Sequence, residues 1–132
     1  MKIKTTILVE PKGKERGRWM QTPSGKVFSY TPHQTAHAEN LIRDKVMELG
    51  HFQDNVPLKL EATFYRERPK SLPKKLQLPI SRPDWDNYGK LLTDALEKYV
   101  YRNDSQITTA IIKKRFGTPP RIELIIEEDS GV

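Results

Sequence analysis

Apolar and polar side chains alternate through Ile3, Thr5, Ile7 and Val9, the period of a half-buried strand. Periodicity is then lost over residues 11–32. There Pro11, Gly13, Gly17, Pro23, Gly25 and Pro32 interrupt Lys12, Lys14, Arg16, Arg18, Trp19 and Lys26, which predicts a long basic loop. From about Pro32 the period becomes helical, with Ala38, Leu41, Ile42, Val46 and Leu49 on one side and Gly50 as the stop. Alternation returns at Val56, Leu58, Leu60, Ala62 and Phe64 for a second strand. Residues 66–83 read as another basic loop, broken by Pro69, Pro73, Pro79 and Pro83. A second helix is predicted over about 87–100. Its buried side holds Tyr88, Leu91, Leu92, Ala95, Leu96 and Tyr99, and Asp86, Lys90, Asp94 and Glu97 face outward. Two further alternating segments, 106–115 and 121–127, meet through Gly117-Thr118-Pro119-Pro120 and predict an antiparallel hairpin. This order predicts an α+β fold, a small mixed β-sheet of about four strands with two helices packed on one face.

With 132 residues, the expected organisation is a single domain over 1–132. Cysteine is absent, which excludes disulfide frameworks, thiol nucleophiles and cysteine-based zinc sites. No apolar run approaches the roughly 20 residues of a membrane span, and no secretion signal is evident, so a soluble cytoplasmic protein is expected. The net charge of +6 is unevenly spread. Residues 1–83 carry 16 Lys and Arg against 8 Asp and Glu, whereas residues 84–132 carry 7 against 9. A basic half of this kind favours a polyanionic partner, because each phosphate neutralised releases counterions. His33 and His37 have the spacing of a zinc pair, but they lie on the polar side of their helix without a third ligand and read as surface residues.

The informative stretch is Arg82-Pro83-Asp84-Trp85-Asp86-Asn87-Tyr88-Gly89-Lys90. If the chain is extended before the helix, Asp84 and Asp86 point the same way and suit a hard, oxygen-seeking cation such as Mg²⁺. Lys90 stands one helical turn beyond Asp86 and is placed to meet phosphate charge. The structural alternative is a helix N-cap, contributing about 1 kcal/mol, which accounts for one of these acids but not comfortably for both. An Asp-x-Asp pair by itself is a weak motif. A third acid, Asp104, sits at the turn after the second helix, from which the next strand is expected to return it towards the pair. Its alternative is a turn aspartate with local hydrogen bonds.

Together, residues 82–96 and Asn103-Asp104-Ser105-Gln106-Ile107 resemble the RusA family of Holliday junction resolvases. That family carries Pro-Asp-x-Asp-Asn-x-x-Lys, then Asp-Ala-Leu, then Asp-Asp-x-Gln at a strand start. Tyr30-Thr31-Pro32, Thr35 and the basic Lys14, Arg16 and Arg18 are similar to the family's N-terminal segment. Asn103 replaces the first acid of the family's Asp-Asp pair, and Asp104 retains the second. Gly89, inside the first turns of the helix, either admits the DNA backbone closely or is incidental.

The resemblance implies that Asp84, Asp86 and Asp104 hold Mg²⁺, with Mn²⁺ as its alternative, and that Lys90 is the catalytic cation. It implies a homodimer acting on branched, four-way DNA, with paired symmetric incisions that leave 5′-phosphate ends. Asp94, on the same stripe as Lys90, is expected to hold that lysine in place. Lys12, Lys14, Arg16, Arg18, Lys26, Arg68, Lys70, Lys74, Lys75 and Arg82 are the expected DNA-binding residues, with Trp19 and Trp85 meeting unstacked bases. The alternative from a different class is a non-catalytic basic nucleic-acid-binding module, whose binding would fall with salt and ignore Mg²⁺.

Overall fold

A computed structural model of the protein describes residues 1–11, 13, 18–30 and 33–132, with the backbone only for 18–20 and 28–30. Strand β1 is Lys2–Ile7, and β2 (Arg18–Gln21) and β3 (Val27–Tyr30) form a small antiparallel ribbon. Helix α1 is His33–Val46, β4 is Leu58–Arg66 and α2 is Trp85–Leu96. A single 3₁₀ turn, Asp104–Gln106, leads into β5 (Ile107–Phe116), and β6 is Arg121–Glu128.

The main sheet has the order β1-β6-β4-β5, in which β6 runs antiparallel to both β1 and β4 while β4 and β5 are parallel. Period-2 alternation turns Ile3, Ile7, Leu58, Leu60, Ala62, Phe64, Ile122, Leu124 and Ile126 to one face, where all are buried. Ala38, Ile42 and Val46 of α1 and Tyr88, Leu91, Leu92, Ala95 and Leu96 of α2 close that core. The mixed four-stranded sheet with two helices on one face is thus the expected α+β architecture.

Three expectations are corrected. The last two strands do not pair with each other, because β4 lies between them. The 117–120 connection instead passes over the end of β4, where the Gly117 amide donates to the Arg66 carbonyl at 3.0 Å. A Cβ at Gly117 would sit 2.5 Å from the Tyr65 ring, so only glycine permits so close a crossing. Second, the basic stretch expected as one loop contains the β2–β3 ribbon, turned at Gly25 with φ +89°. Third, both helices end earlier than expected, at Val46 and Leu96. Leu49 and Tyr99 are therefore exposed, and Val100 and Tyr101 take the buried places after α2.

Among the described residues, no helix is long and apolar enough to cross a membrane.

Candidate nucleic-acid cleavage site

Helix α2 begins at Trp85, two residues earlier than expected, so Asp86 already lies in its first turn. Asp84 occupies the N-cap position with extended backbone, φ −68° and ψ 154°. Its carbonyl accepts from the amides of Asn87 and Tyr88, at 3.1 and 3.2 Å, but its side chain makes no capping hydrogen bond. An N-cap aspartate normally uses its carboxylate for that bond. Here the carboxylate is exposed and left for other chemistry, beside the positive end of the helix dipole.

The start of α2 is held by side chains from both directions. Tyr88 is buried and stacks on Phe64 of β4 at 4.6 Å between ring centroids. Burial pushes the Tyr88 phenol up, partly offset by the Arg66 guanidinium beside it. Arg66 also donates to the Ser81 hydroxyl at 3.2 Å and to the Arg82 carbonyl at 2.9 Å. Lys114 of β5 donates to the Ser81 carbonyl at 2.8 Å. The chain entering Asp84 is therefore clamped between the ends of β4 and β5.

Asp104 lies elsewhere. Its amide donates to Glu97 Oε2 at 2.9 Å, and Glu97 is the C-cap of α2. With about 1.5 Å of rise per residue, a 12-residue helix separates its two ends by about 18 Å. Within one chain the structure brings Asp84 and Asp86 together at one end of α2 and places Asp104 at the other. The reason is directional. A parallel β4–α2–β5 crossover starts β5 where α2 finishes, so the part of β5 that returns to Asp84 is Lys114. Among the described residues, no group of three or more His, Asp or Glu is placed to hold a metal ion.

The Asp104 end is acidic in its own right. Burial raises the Asp104 carboxyl, and the charges of Glu97 and Asp94 raise it further, while the Tyr101 hydroxyl, donating at 2.6 Å, opposes the rise. Tyr101 is itself buried and its phenol is pushed up by burial and by Asp104. A capping box closes the turn, with Asn103 Oδ1 accepting from the Ser105 amide and Gln106 Oε1 accepting from the Asn103 amide. This gives the departure at Asn103 a local role. Sequence reasoning missed Tyr101 as the partner of Asp104; its signal was a tyrosine three residues before an acid, just past a helix end.

Between the two acidic ends, Lys90 is exposed on the outer stripe, one turn from Asp86 and one turn from Asp94. Arg43 of α1 donates to the Asp94 carbonyl at 3.2 Å, pairs with the nearly buried Glu39 at 3.4 Å, and lies over the Tyr99 ring at 5.0 Å. This ties α1 to the last turn of α2.

The expected phosphate track divides. Lys26, Lys70, Lys74, Lys75 and Arg82 are exposed. Arg68 instead holds the 67–83 loop together: its guanidinium donates to the carbonyls of Leu76, at 2.6 Å, and Pro73, and stacks on Phe116 at 5.3 Å. Lys12, Lys14 and Arg16 lie outside the described residues, as do the side chains of Arg18 and Trp19. Trp85 is 63% exposed, and His33 and His37 stack on one another at the surface.

An acid-tipped helix entered through a clamped basic loop is an arrangement suited to phosphodiester backbones, and comparison with known proteins agrees. The family model described as Endodeoxyribonuclease RusA matches residues 9–127. The chain belongs to the RusA family of endodeoxyribonucleases. Over 89 residues it is 40% identical to the "Crossover junction endodeoxyribonuclease rusA" of Lactococcus phage r1t, covering 67% of this chain and 66% of the phage protein. It is also 29% identical over 144 aligned residues to "Uncharacterized protein YqaN" of Bacillus subtilis (strain 168), covering 98% of each. The family's chemistry is endonucleolytic resolution of DNA crossovers.

Proposed function

We propose that this protein is a divalent-metal-dependent homodimeric endonuclease that resolves four-way DNA junctions by paired symmetric incisions leaving 5′-phosphate ends, in DNA recombination and repair. The observation that carries the reading is the Asp84 carboxylate, which sits at a helix N-cap yet makes no cap bond, two residues from a second exposed acid. Mg²⁺ takes one or two carboxylates and completes its octahedron with water and substrate phosphate oxygens, so Asp84 and Asp86 fit it. When bound it supplies positive charge at the scissile phosphate and lowers the pKa of a coordinated water.

Asp104 joins this set through the dimer. The two acidic ends of α2 are about 18 Å apart in one chain, too far for one ion. A two-fold axis that sets two α2 helices antiparallel brings the Asp104 end of one chain to the Asp84 end of the other. Lys90 opposes the negative charge that develops on the phosphate during cleavage. Asp94, one turn away, positions Lys90. Lys26, Lys70, Lys74, Lys75 and Arg82, with Lys12, Lys14, Arg16 and Arg18, follow the DNA backbone.

The test is incubation of a labelled mobile four-way junction, and of a linear duplex of equal length, with Mg²⁺, with EDTA, or with the Asp84→Asn variant in Mg²⁺. Paired symmetric nicks confined to the junction and to wild type in Mg²⁺ are expected. Tight junction binding with no cut under Mg²⁺ or Mn²⁺ would instead make the protein a binding module and reduce the acids to helix and turn residues.

A further inference from the structure

Beside the proposed site the chain leaves large apolar side chains in water. Ile80 is 81% exposed and Leu78 is 49% exposed, with Pro79 buried between them. Single exposed apolar residues are ordinary on a protein surface and by themselves mean nothing. This pair differs in how it is mounted.

The residue after Ile80 is fixed at two atoms, its hydroxyl by Arg66 and its carbonyl by Lys114, and the Arg82 carbonyl is fixed by Arg66 again. On the other side Arg68 gathers the carbonyls of Pro73 and Leu76, so the loop that carries Ile80 is braced from within. Ile80 is four residues from Asp84, which bounds their separation to about 14 Å of chain. Trp85, also mostly exposed, stands directly after Asp84. Exposed cations, Lys74, Lys75 and Arg82, bracket the two apolar residues in the sequence. A braced aliphatic side chain amid cations, next to acids suited to phosphodiester chemistry, matches what DNA-distorting proteins use to part a base step.

We infer that Ile80, seconded by Trp85, is an apolar wedge that enters the base stack at a DNA branch point and thereby sets which phosphodiester reaches the Asp84 end of α2. The inference rests on the junction-cleaving reading above and deepens it. Bases at a branch point are the least well stacked in a junction, so a wedge acts there at lower cost than within a continuous duplex. It supplies a preference for branched over linear DNA that phosphate contacts cannot give, because they read no base. The occupant is a nucleobase rather than a protein, since over residues 70–86 the exposed cations Lys70, Lys74, Lys75 and Arg82 outnumber the exposed acids Asp84 and Asp86, an excess that matches a polyanion.

The experiment uses the full-length protein and a four-way junction with 2-aminopurine at the crossover. In EDTA, wild type is expected to raise 2-aminopurine fluorescence on binding. Ile80→Ser is expected to lose that rise while retaining affinity within about threefold, because phosphate contacts dominate affinity. Ile80→Leu is expected to keep the rise. In Mg²⁺, Ile80→Ser should cut the fully paired junction about tenfold more slowly, and a junction with mismatched crossover pairs should restore its rate. An undiminished rise with Ile80→Ser, or a slow rate that mismatches do not restore, would overturn the wedge. The wedge and the resolvase reading fail separately. Wild type that cuts and an Ile80→Ser variant that matches it remove the wedge alone. Wild type that raises fluorescence but never cuts removes the cleavage reading and leaves the wedge. Wild type that does neither removes both.

Discussion

Gly13 lies directly against Pro83: a Cβ on Gly13 would stand 2.7 Å from the Pro83 Cβ and 3.5 Å from the Cβ of Asn87. The neighbours of Gly13 in sequence include Lys12, Lys14 and Arg16, and the neighbours of Pro83 are Arg82 and Asp84. One residue without a side chain therefore packs against the acid-bearing start of α2. The proline ring cannot yield, because it is closed on its own backbone and the adjoining chain is clamped by Arg66.

Gly13→Ala follows as the first prediction. Overpacking of this kind costs about 1–3 kcal/mol, and here the strain is relieved by moving residue 13 off the start of α2. Junction cleavage should fall about tenfold or more, since a displacement near 1 Å at a reacting site can cost as much as a hundredfold. Thermal unfolding should drop by only a few degrees. Wild-type cleavage at a wild-type melting temperature would show that this packing does not matter to the site.

Gly89 gives the opposite expectation. It lies within α2 facing β5, and an added Cβ would meet Ile112 at 3.7 Å, an ordinary contact distance. The glycine is thus directed at the sheet, and no close approach of DNA needs it there. Gly89→Ala should stabilise the fold by about 0.5–1 kcal/mol through helix propensity and a less disordered unfolded chain. Denaturant titration reads that gain. Junction cleavage should be unchanged, and a variant that is more stable but inactive would assign the backbone at 89 a role in DNA contact after all.

How much of this was legible in the sequence depended on the range of the forces involved. The α2 acids, Lys90 and the buried stripe Tyr88-Leu91-Leu92-Ala95-Leu96 follow from one local period and were visible. The insertion of β4 between β5 and β6 was not, because alternation marks a strand without marking its neighbour. The 117–120 turn carried genuine turn residues, and its role as a bridge over β4 depends on Tyr65, some fifty residues earlier. Arg68 looked like a phosphate contact because a charge in a proline-rich loop gives no sign of which carbonyls surround it. The separation of Asp104 from Asp84 did carry a signal. A helix of about twelve residues has ends about 18 Å apart, and a strand that starts at the far end begins there too.

Asp129 supplies the pH dependence. It accepts from the hydroxyls of Thr108 and Thr109 at 2.6 and 2.7 Å and from the Gly131 amide at 2.9 Å, pinning the chain after β6 to the start of β5. These three donors hold its carboxyl down to about 2. A carboxyl whose folded value lies below its unfolded one stabilises the fold above the unfolded value and loses that contribution as pH falls towards the folded one. The melting temperature of wild type should therefore decline between about pH 4 and pH 2 more steeply than that of Asp129→Asn, which has no charge to lose. Parallel profiles for the two proteins would mean that the donors do not favour the ionised carboxylate over its neutral form.

The sharing of a site between two chains is tested by mixing inactive variants. Asp84→Asn and Asp104→Asn should each be inactive as homodimers, since each removes one carboxylate from both sites. If each site takes Asp84 and Asp86 from one chain and Asp104 from its partner, the mixed dimer has one site with both substitutions and one with neither. Co-refolded variants should then regain junction cleavage, at about half the wild-type rate per mixed dimer, and should nick one strand where wild type nicks two. If each chain instead builds its own site, every site in the mixture carries one substitution and no activity returns. Metal binding gives a second readout that does not depend on turnover. Protection against thermal unfolding by Mg²⁺ should be absent in both homodimeric variants and reappear in the mixture, because a ligand stabilises only the state that binds it. A mixture that stays inactive and unprotected would show that the chains do not share a site, whereas an Asp104→Asn homodimer that keeps its Mg²⁺ protection would confine the metal to Asp84 and Asp86 of a single chain. Asp104 would then remain what its hydrogen bonds already make it, the residue that joins Tyr101 and Glu97 at the end of α2.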